Sequence, residues 1–272
     1  MDAFLDTPWK RNLAVIWVGE LLALSGFSLV MPFLPYYIQE LGVRNPRQVA
    51  LWTGMLTSAH AVAMTVASPF WGNLADRYGR KLMVERAMFG GAFVLALMGF
   101  AQNVSQLLVL RLLQGALTGT VVAATTLVAS SVPRERVGSA LGFLQMAIYL
   151  GASLGPALGG VLADTIGYRP AFWVTAGLLF IAGVSVHLLV HEVFQPQPRV
   201  AGGQGGGWKT SVGSLWKPAL VSMLLVRALS RIGLRTVDPM LPLFVQELQK
   251  GGAGVASATG VVVGAAAAAG AV

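Results

Sequence analysis

Seven stretches of about 20 or more mostly apolar residues run through this chain: Leu13–Tyr37, Leu51–Trp71, Leu82–Ala101, Leu107–Val132, Val137–Ala163, Ala171–Val190 and Ala219–Val245. An eighth begins near Gly254 and is still running at Val272. About 20 apolar residues make a helix long enough to cross a bilayer. Lipid leaves open strand edges unsatisfied, so helical spans are expected, and the runs are too long for barrel strands. Composition agrees: 55% of residues are hydrophobic and 11% charged, against about 25% charged in a soluble domain. A soluble fold of this composition could not cover its surface with polar groups. Trp9, Lys10 and Arg11 stand too close to a long span to read as a cleaved signal peptide.

The net charge of +8 would suggest nucleic acid in a soluble chain. Here the basic residues sort by side of the membrane. With the N-terminus inside, eleven lie in cytoplasmic segments (Lys10, Arg11, Arg77, Arg80, Lys81, Arg86, Arg134, Arg136, Arg199, Lys209, Lys217) and four outside (Arg44, Arg47, Arg169, Lys250). The positive-inside rule then places the N-terminus in the cytoplasm of a multi-pass protein of the cell membrane. Nucleic acid is not an expected partner; the lipid bilayer is. Cysteine is absent, so thiolate chemistry is excluded. Three histidines without a carboxylate cluster predict no metal site. No nucleophile–base pair or phosphate-cradling loop is present, so no catalytic residues and no enzyme activity are expected.

Between spans six and seven, Gln195-Pro-Gln-Pro and Gly202-Gly-Gln-Gly-Gly-Gly207 read as a flexible linker. It divides the chain into a six-span unit over residues 1–191, a cytoplasmic linker over 192–217 and the start of a second unit over 218–272. That start repeats the first. A shift of 207 residues puts Trp9-Lys10 on Trp216-Lys217, Pro32-Phe-Leu-Pro35 on Pro239-Met-Leu-Pro242, and Gln39-Glu-Leu41 on Gln246-Glu-Leu248. Twelve of the 33 residues from 9 to 41 are identical under it. Parallel six-span repeats are a transporter architecture. The tail from Thr259 is of low complexity and matches span two only loosely, so span eight is expected to be partial and the second half truncated.

Three motifs make the sequence similar to the major facilitator superfamily. Gly72-Asn-Leu-Ala-Asp76-Arg77-Tyr-Gly79-Arg80-Lys81 resembles its cytoplasmic loop signature, Arg111-Leu-Leu-Gln114-Gly115 a span-four motif, and Gly142, Gly151, Gly155-Pro156 and Gly159-Gly160 its antiporter signature. Met31-Pro32-Phe-Leu-Pro35 resembles the twelve-span drug:proton antiporter branch. The resemblance implies an all-α polytopic fold and proton-coupled efflux of amphiphilic small molecules by alternating access, without a cofactor beyond the proton gradient. It also implies a monomer, if the chain is full length. In the family the loop around Asp76 is a conformational latch, Arg111 faces the interior and helps handle protons, and Pro156 bends span five to seal its outer end.

Charges in the spans identify a candidate cavity. Glu20 lies mid-span in helix one; Arg227, Arg231 and Arg235 lie four apart in helix seven, with Asp238 just beyond. Each charge at the bilayer centre costs about 2.5–3.5 kcal/mol on insertion scales, so these groups require partners or a wet cavity. The 207 shift maps Glu20 onto Arg227, which makes Glu20 the candidate proton-responsive carboxyl and the arginine stripe its candidate partner. Glu20 in span one favours lipophilic cations and the three arginines favour an anion; the charge count leans toward amphiphilic or anionic substrates. Phe27, Met31, Phe33, Met146 and Tyr149 are candidate pocket walls. Two other readings stand beside this one: a truncated, non-transporting member with an assembly or regulatory role, and a proton-coupled nutrient symporter, which the span-five signature disfavours.

Overall fold

The computed structural model describes residues 7–192, 221–223, 225, 226, 229, 240–249 and 254–269. In chain order its helices are α1 Pro8–Val30, α2 Leu34–Glu40, α3 Pro46–Tyr78, α4 Arg80–Met98, α5 Val104–Leu117, α6 Thr120–Ser131, α7 Val137–Ile166, α8 Tyr168–Leu189, α9 Leu241–Leu248 and α10 Val255–Ala269. The described residues hold helices and no strands. Five helical segments are long and apolar enough to cross a membrane, with α5 and α6 together counting as one. α4 spans 19 residues and carries Arg80, Lys81, Glu85 and Arg86 in its first two turns, followed by the apolar run from Ala87 to Met98. The architecture is the expected all-α, multi-pass one.

α1 packs against α7, α8 and α6; α3 packs against α5, and α4 against α8, α6 and α5. α10 lies along α7 and contacts α9. Two apolar clusters fill the bundle. One gathers Phe33, Tyr37, Leu95, Leu107 and Phe172 near the α2 end, the other Ile16, Met88, Leu127, Leu144 and Val186 toward the opposite end.

Three features differ from the span pattern. Span one is interrupted at Met31–Phe33 and resumes as the short α2, because Pro32 and Pro35 lack backbone donors. Span two runs past Trp71 to Tyr78 as one helix, so most of the supposed loop is helical. Span four is broken, which its mostly apolar run does not announce. α5 stops at Leu117 and α6 starts at Thr120 after Gly119 at φ +121, a left-handed conformation that favours glycine.

The break is secured by named bonds. The Thr118 hydroxyl donates to the Gln114 carbonyl at 2.7 Å, and the Trp71 indole N–H donates to the Ala116 carbonyl at 2.6 Å. In lipid each carbonyl freed by a helix break must find such a donor. Gly90 of α4 lies against the break, where a β-carbon would lie 3.3 Å from Leu117; one on Gly91 would meet Leu179 at 2.8 Å and Phe27 at 3.1 Å before Thr118 at 3.3 Å.

Candidate functional site

The antiporter-signature residues lie on α7, but they do not act as one face. β-carbons on Gly151, Gly155 and Gly159 would strike the α1 backbone at Leu21, Ser25 and Leu29. A β-carbon on Gly160 would instead strike the Ala256 carbonyl of α10. Facing it, Ala256, Gly260 and Gly264 repeat every four residues along α10, with Gly260 on the Pro156 carbonyl and Gly264 on that of Ser153. Small residues at this spacing let helix backbones touch, the arrangement that drives packing in lipid. Gly142 has nothing within 4 Å of its β-carbon position and belongs to neither contact. α7 runs from Val137 to Ile166 as one helix with Pro156 inside it.

Polar contacts join the two repeats at one end of the bundle. Gln39 and Gln246 exchange amide hydrogen bonds at 3.0 and 3.2 Å. The Tyr36 hydroxyl donates to the Pro242 carbonyl at 2.6 Å and lies 2.8 Å from the Thr259 hydroxyl. Asp164 accepts from the backbone N–H of Ser257 at 2.7 Å and from the Ser257 hydroxyl. A carboxylate on the first turn of α10 also faces the positive end of its dipole. Arg169 and Glu40 pair at 3.3 Å nearby, both well exposed, a geometry worth little.

At the opposite end, Asp76 and Arg77 are exposed on the last turns of α3, and Asp76 makes no hydrogen bond or ion pair among the described residues. Gly72 sits inside the helix with open space around it, so the turn falls on Gly79 alone, at φ +99. The acid that caps the following helix is Glu192, whose two oxygens accept from the N–H groups of Arg80 and Lys81 at 3.0 and 2.8 Å. Asn12 and His191 bond reciprocally beside it. Glu192 therefore belongs by its contacts to the six-span unit. Sequence reasoning missed it because 112 residues separate it from Arg80; its position just beyond span six is the one signal that was available.

Glu20 is fully buried in α1. The Thr120 hydroxyl at the start of α6 is its polar neighbour, but neither carboxylate oxygen makes a well-formed hydrogen bond among the described residues. Arg111 is 3% exposed, and its Nη1 donates to the Gln114 side-chain oxygen at 3.1 Å. It points inward rather than to the interface. Gly115, one turn on, admits the His60 backbone of α3. Arg227, Arg231, Arg235 and Asp238 lie outside the described residues, as does the linker beyond Glu192. Of the expected pocket walls, Phe33 is a core residue, edge-on to Phe172, whereas Met31, Met146 and Tyr149 are exposed.

The family model of the Major Facilitator Superfamily matches residues 16–272. The chain belongs to the Major Facilitator Superfamily. The superfamily is one of membrane transporters rather than enzymes. Its curated relatives include the multidrug resistance protein MdtG of Enterobacter lignolyticus, 42% identical over 260 residues, covering 94% of this chain and 62% of that protein. MdtG of Escherichia coli O17:K52:H18 is 44% identical over 260 residues, covering 94% and 63%. The chain thus spans less than two thirds of the length of these superfamily relatives. Among solved structures, the human organic anion transporter MFSD10 (TETRAN) aligns with a TM-score of 0.61 at 22% identity, over 70% of this chain and 50% of that one. That likeness supports the superfamily fold alone.

Proposed function

We propose that this chain carries out, or forms part of, proton-coupled efflux of amphiphilic drugs by alternating access, with the N-terminus cytoplasmic and no cofactor beyond the proton gradient. The observation that carries the reading is Glu20. Glu20 is fully buried and makes no hydrogen bond or ion pair among the described residues; an ionised carboxylate in such a place costs several kcal/mol unless it is paired, and a proton removes that cost. A group so placed exchanges its proton only when the surrounding helices rearrange, which is what coupling requires.

The names of the MdtG relatives support drugs as the cargo. The Gln39–Gln246 and Asp164–Ser257 bonds support an inward-open state, since they close the end assigned to the outside. Asp76, Arg77, Gly79 and Arg80 then gate the cytoplasmic end, Gly155, Pro156, Gly159 and Gly160 seal the outer one, and Arg227, Arg231, Arg235 and Asp238 line the cavity with Glu20 and Arg111. The six-span unit over residues 1–191 moves as one body against the unit that begins at 218, and one copy suffices.

The test is flux in liposomes containing the chain, loaded with a cationic or an anionic dye. An imposed pH gradient should drive dye movement, and Glu20→Gln should abolish the driven component while helix content is unchanged. Full gradient-driven flux in Glu20→Gln would remove the proton role. No driven flux in the wild-type chain would remove the transport reading for this chain. Movement of the cationic dye alone would sink the preference for anions.

A further inference from the structure

The break in span four frees backbone groups of two kinds, and side chains answer only one of them. On the carbonyl side the Trp71 indole reaches Ala116 and the Thr118 hydroxyl reaches Gln114. On the other side α6 begins afresh. Its first N–H with a carbonyl one turn back is that of Ala123, which donates to Gly119 at 3.2 Å. The N–H groups of Thr120, Val121 and Val122 precede it and have no such carbonyl to reach. Gly119 at the N-cap brings no side chain, and the first turn holds no acid. A helix start of this kind carries partial positive charge, here within a span.

Glu20 has the opposite deficit. Its side chain is fully buried, and both oxygens lack a hydrogen-bond partner among the described residues. Its polar neighbour is the hydroxyl of Thr120, the first residue of α6 and itself 3% exposed. The other surroundings are apolar. Ile16 and Ala23, about one turn to either side of Glu20, share a buried cluster with Ala123, Ala124 and Leu127 of α6. A β-carbon on Gly19 would meet the side chains of Met88 and Val186, both at 3.4 Å. Of the helices packed on α1, α6 carries no titratable side chain, α7 carries Tyr149 and Asp164, and α8 carries Tyr168, Arg169 and His187. α4, which reaches α1 through Met88, carries Arg80, Lys81, Glu85 and Arg86. None of these acts on Glu20.

We infer that the start of α6 is the seat of the Glu20 carboxylate: when the proton leaves to water, the Thr120 hydroxyl and the uncapped N–H end of α6 take up the charge. Donors without an acceptor and an acceptor without donors then satisfy each other, by hydrogen bonds that the charge strengthens. The break in span four supplies span one with its counter-charge, and Thr120 is a positioning residue for coupling. Reprotonation withdraws the charge and loosens the contact between α1 and α6. The inference rests on the reading of Glu20 as the coupling carboxyl and names what stabilises its ionised form.

The test is infrared difference spectroscopy of the whole chain in liposomes, following the protonated carboxyl stretch as pH is raised. The band that Glu20→Gln removes belongs to Glu20. Thr120→Val keeps the shape and loses the donor, so the band should persist to a pH at least one unit higher, a tenfold change in proton affinity. Thr120→Ser should restore the wild-type midpoint. Thr125→Val, on the same helix with its hydroxyl bonded to the Val121 carbonyl at 2.6 Å, should leave it unchanged. A wild-type midpoint in Thr120→Val, an equal shift in Thr125→Val, or no restoration by Thr120→Ser would each overturn the seat while the proton role of Glu20 stands. If Glu20→Gln removes no titrating band, the proton role falls and the seat falls with it. Should Thr120→Val fail to fold, Thr120→Cys, a weak donor of similar size, carries the same expectation and the same refutation.

Discussion

Gln39 and Gln246 are separated by the repeat shift of 207 residues and bond to each other, each side-chain amide donating to the other's oxygen. Equivalent residues of two repeats can meet this way only near the axis that relates them. The self-complementary amide suits that position, since it offers a donor and an acceptor to a copy of itself. This pair therefore marks the seam between the repeats at the end of the bundle where Tyr36, Asp164, Pro242 and Ser257 also meet.

Removing the pair should loosen the seam. Gln39→Ala and Gln246→Ala should show a coupling energy of about 1 kcal/mol in a double-mutant cycle, the usual net value of such bonds. The chain has no cysteine, so Val255→Cys at the start of α10 supplies a clean probe. In either glutamine variant it should react several-fold faster with a membrane-impermeant thiol reagent. An unchanged labelling rate would show that the seam is held elsewhere.

The α7 glycines should separate by partner. Gly155→Ala and Gly159→Ala force α1 away and should each cost about 1–3 kcal/mol, as overpacking does. Gly160→Ala should displace α10 instead, raising labelling at Val255→Cys with a smaller loss of stability. Gly142→Ala meets open space in a helix and should be neutral or stabilise by up to about 1 kcal/mol. Thermal midpoints of the four variants check the order.

The break in span four should be sensitive at its donors. Trp71→Phe keeps the ring and leaves the Ala116 carbonyl without its indole partner, a loss of about 1–3 kcal/mol. Thr118→Val removes the bond to Gln114 and should cost less, because that carbonyl also accepts from the Thr118 N–H at 2.9 Å. Gly119→Ala places a side chain at positive φ and should cost about 1–2 kcal/mol. Chemical denaturation in detergent compares the three.

Glu192 and Asp76 should part company between stability and flux. Glu192→Ala uncovers two N–H groups at the start of α4 and should lose about 1 kcal/mol, the usual value of a helix cap. Asp76→Asn touches no bond among the described residues, so its thermal midpoint should stay within about 0.5 kcal/mol of wild type. If Asp76 latches the cytoplasmic end in another state, flux in the same variant should fall. Wild-type flux in Asp76→Asn would remove its gating role.

The candidate site was legible where chemistry is local. Glu20 and Arg111 stand out in the sequence because a charge in an apolar run is costly wherever its helix packs. Their surroundings were not legible: the Thr120 hydroxyl beside the Glu20 carboxylate, and the Gln114 side chain on Nη1 of Arg111, depend on which helices adjoin and how each helix is turned. Gly142 fits the signature by spacing and touches nothing, whereas Glu192 fits no motif and caps a helix.

By itself the sequence determined the membrane-spanning helices, the repeat and the small-residue spacing of α7, because lipid demands closed backbone hydrogen bonding and a helix repeats its faces every three to four residues. Tertiary structure decided which neighbour each face meets. The same run of glycines serves α1 at Gly151, Gly155 and Gly159 and α10 at Gly160, since neighbouring residues on one helix point about 100° apart. It also decided that span four breaks. Thr118-Gly119 in an apolar run is compatible with a continuous helix; in the fold Gly90 lies against Leu117 and the Trp71 indole satisfies the freed Ala116 carbonyl.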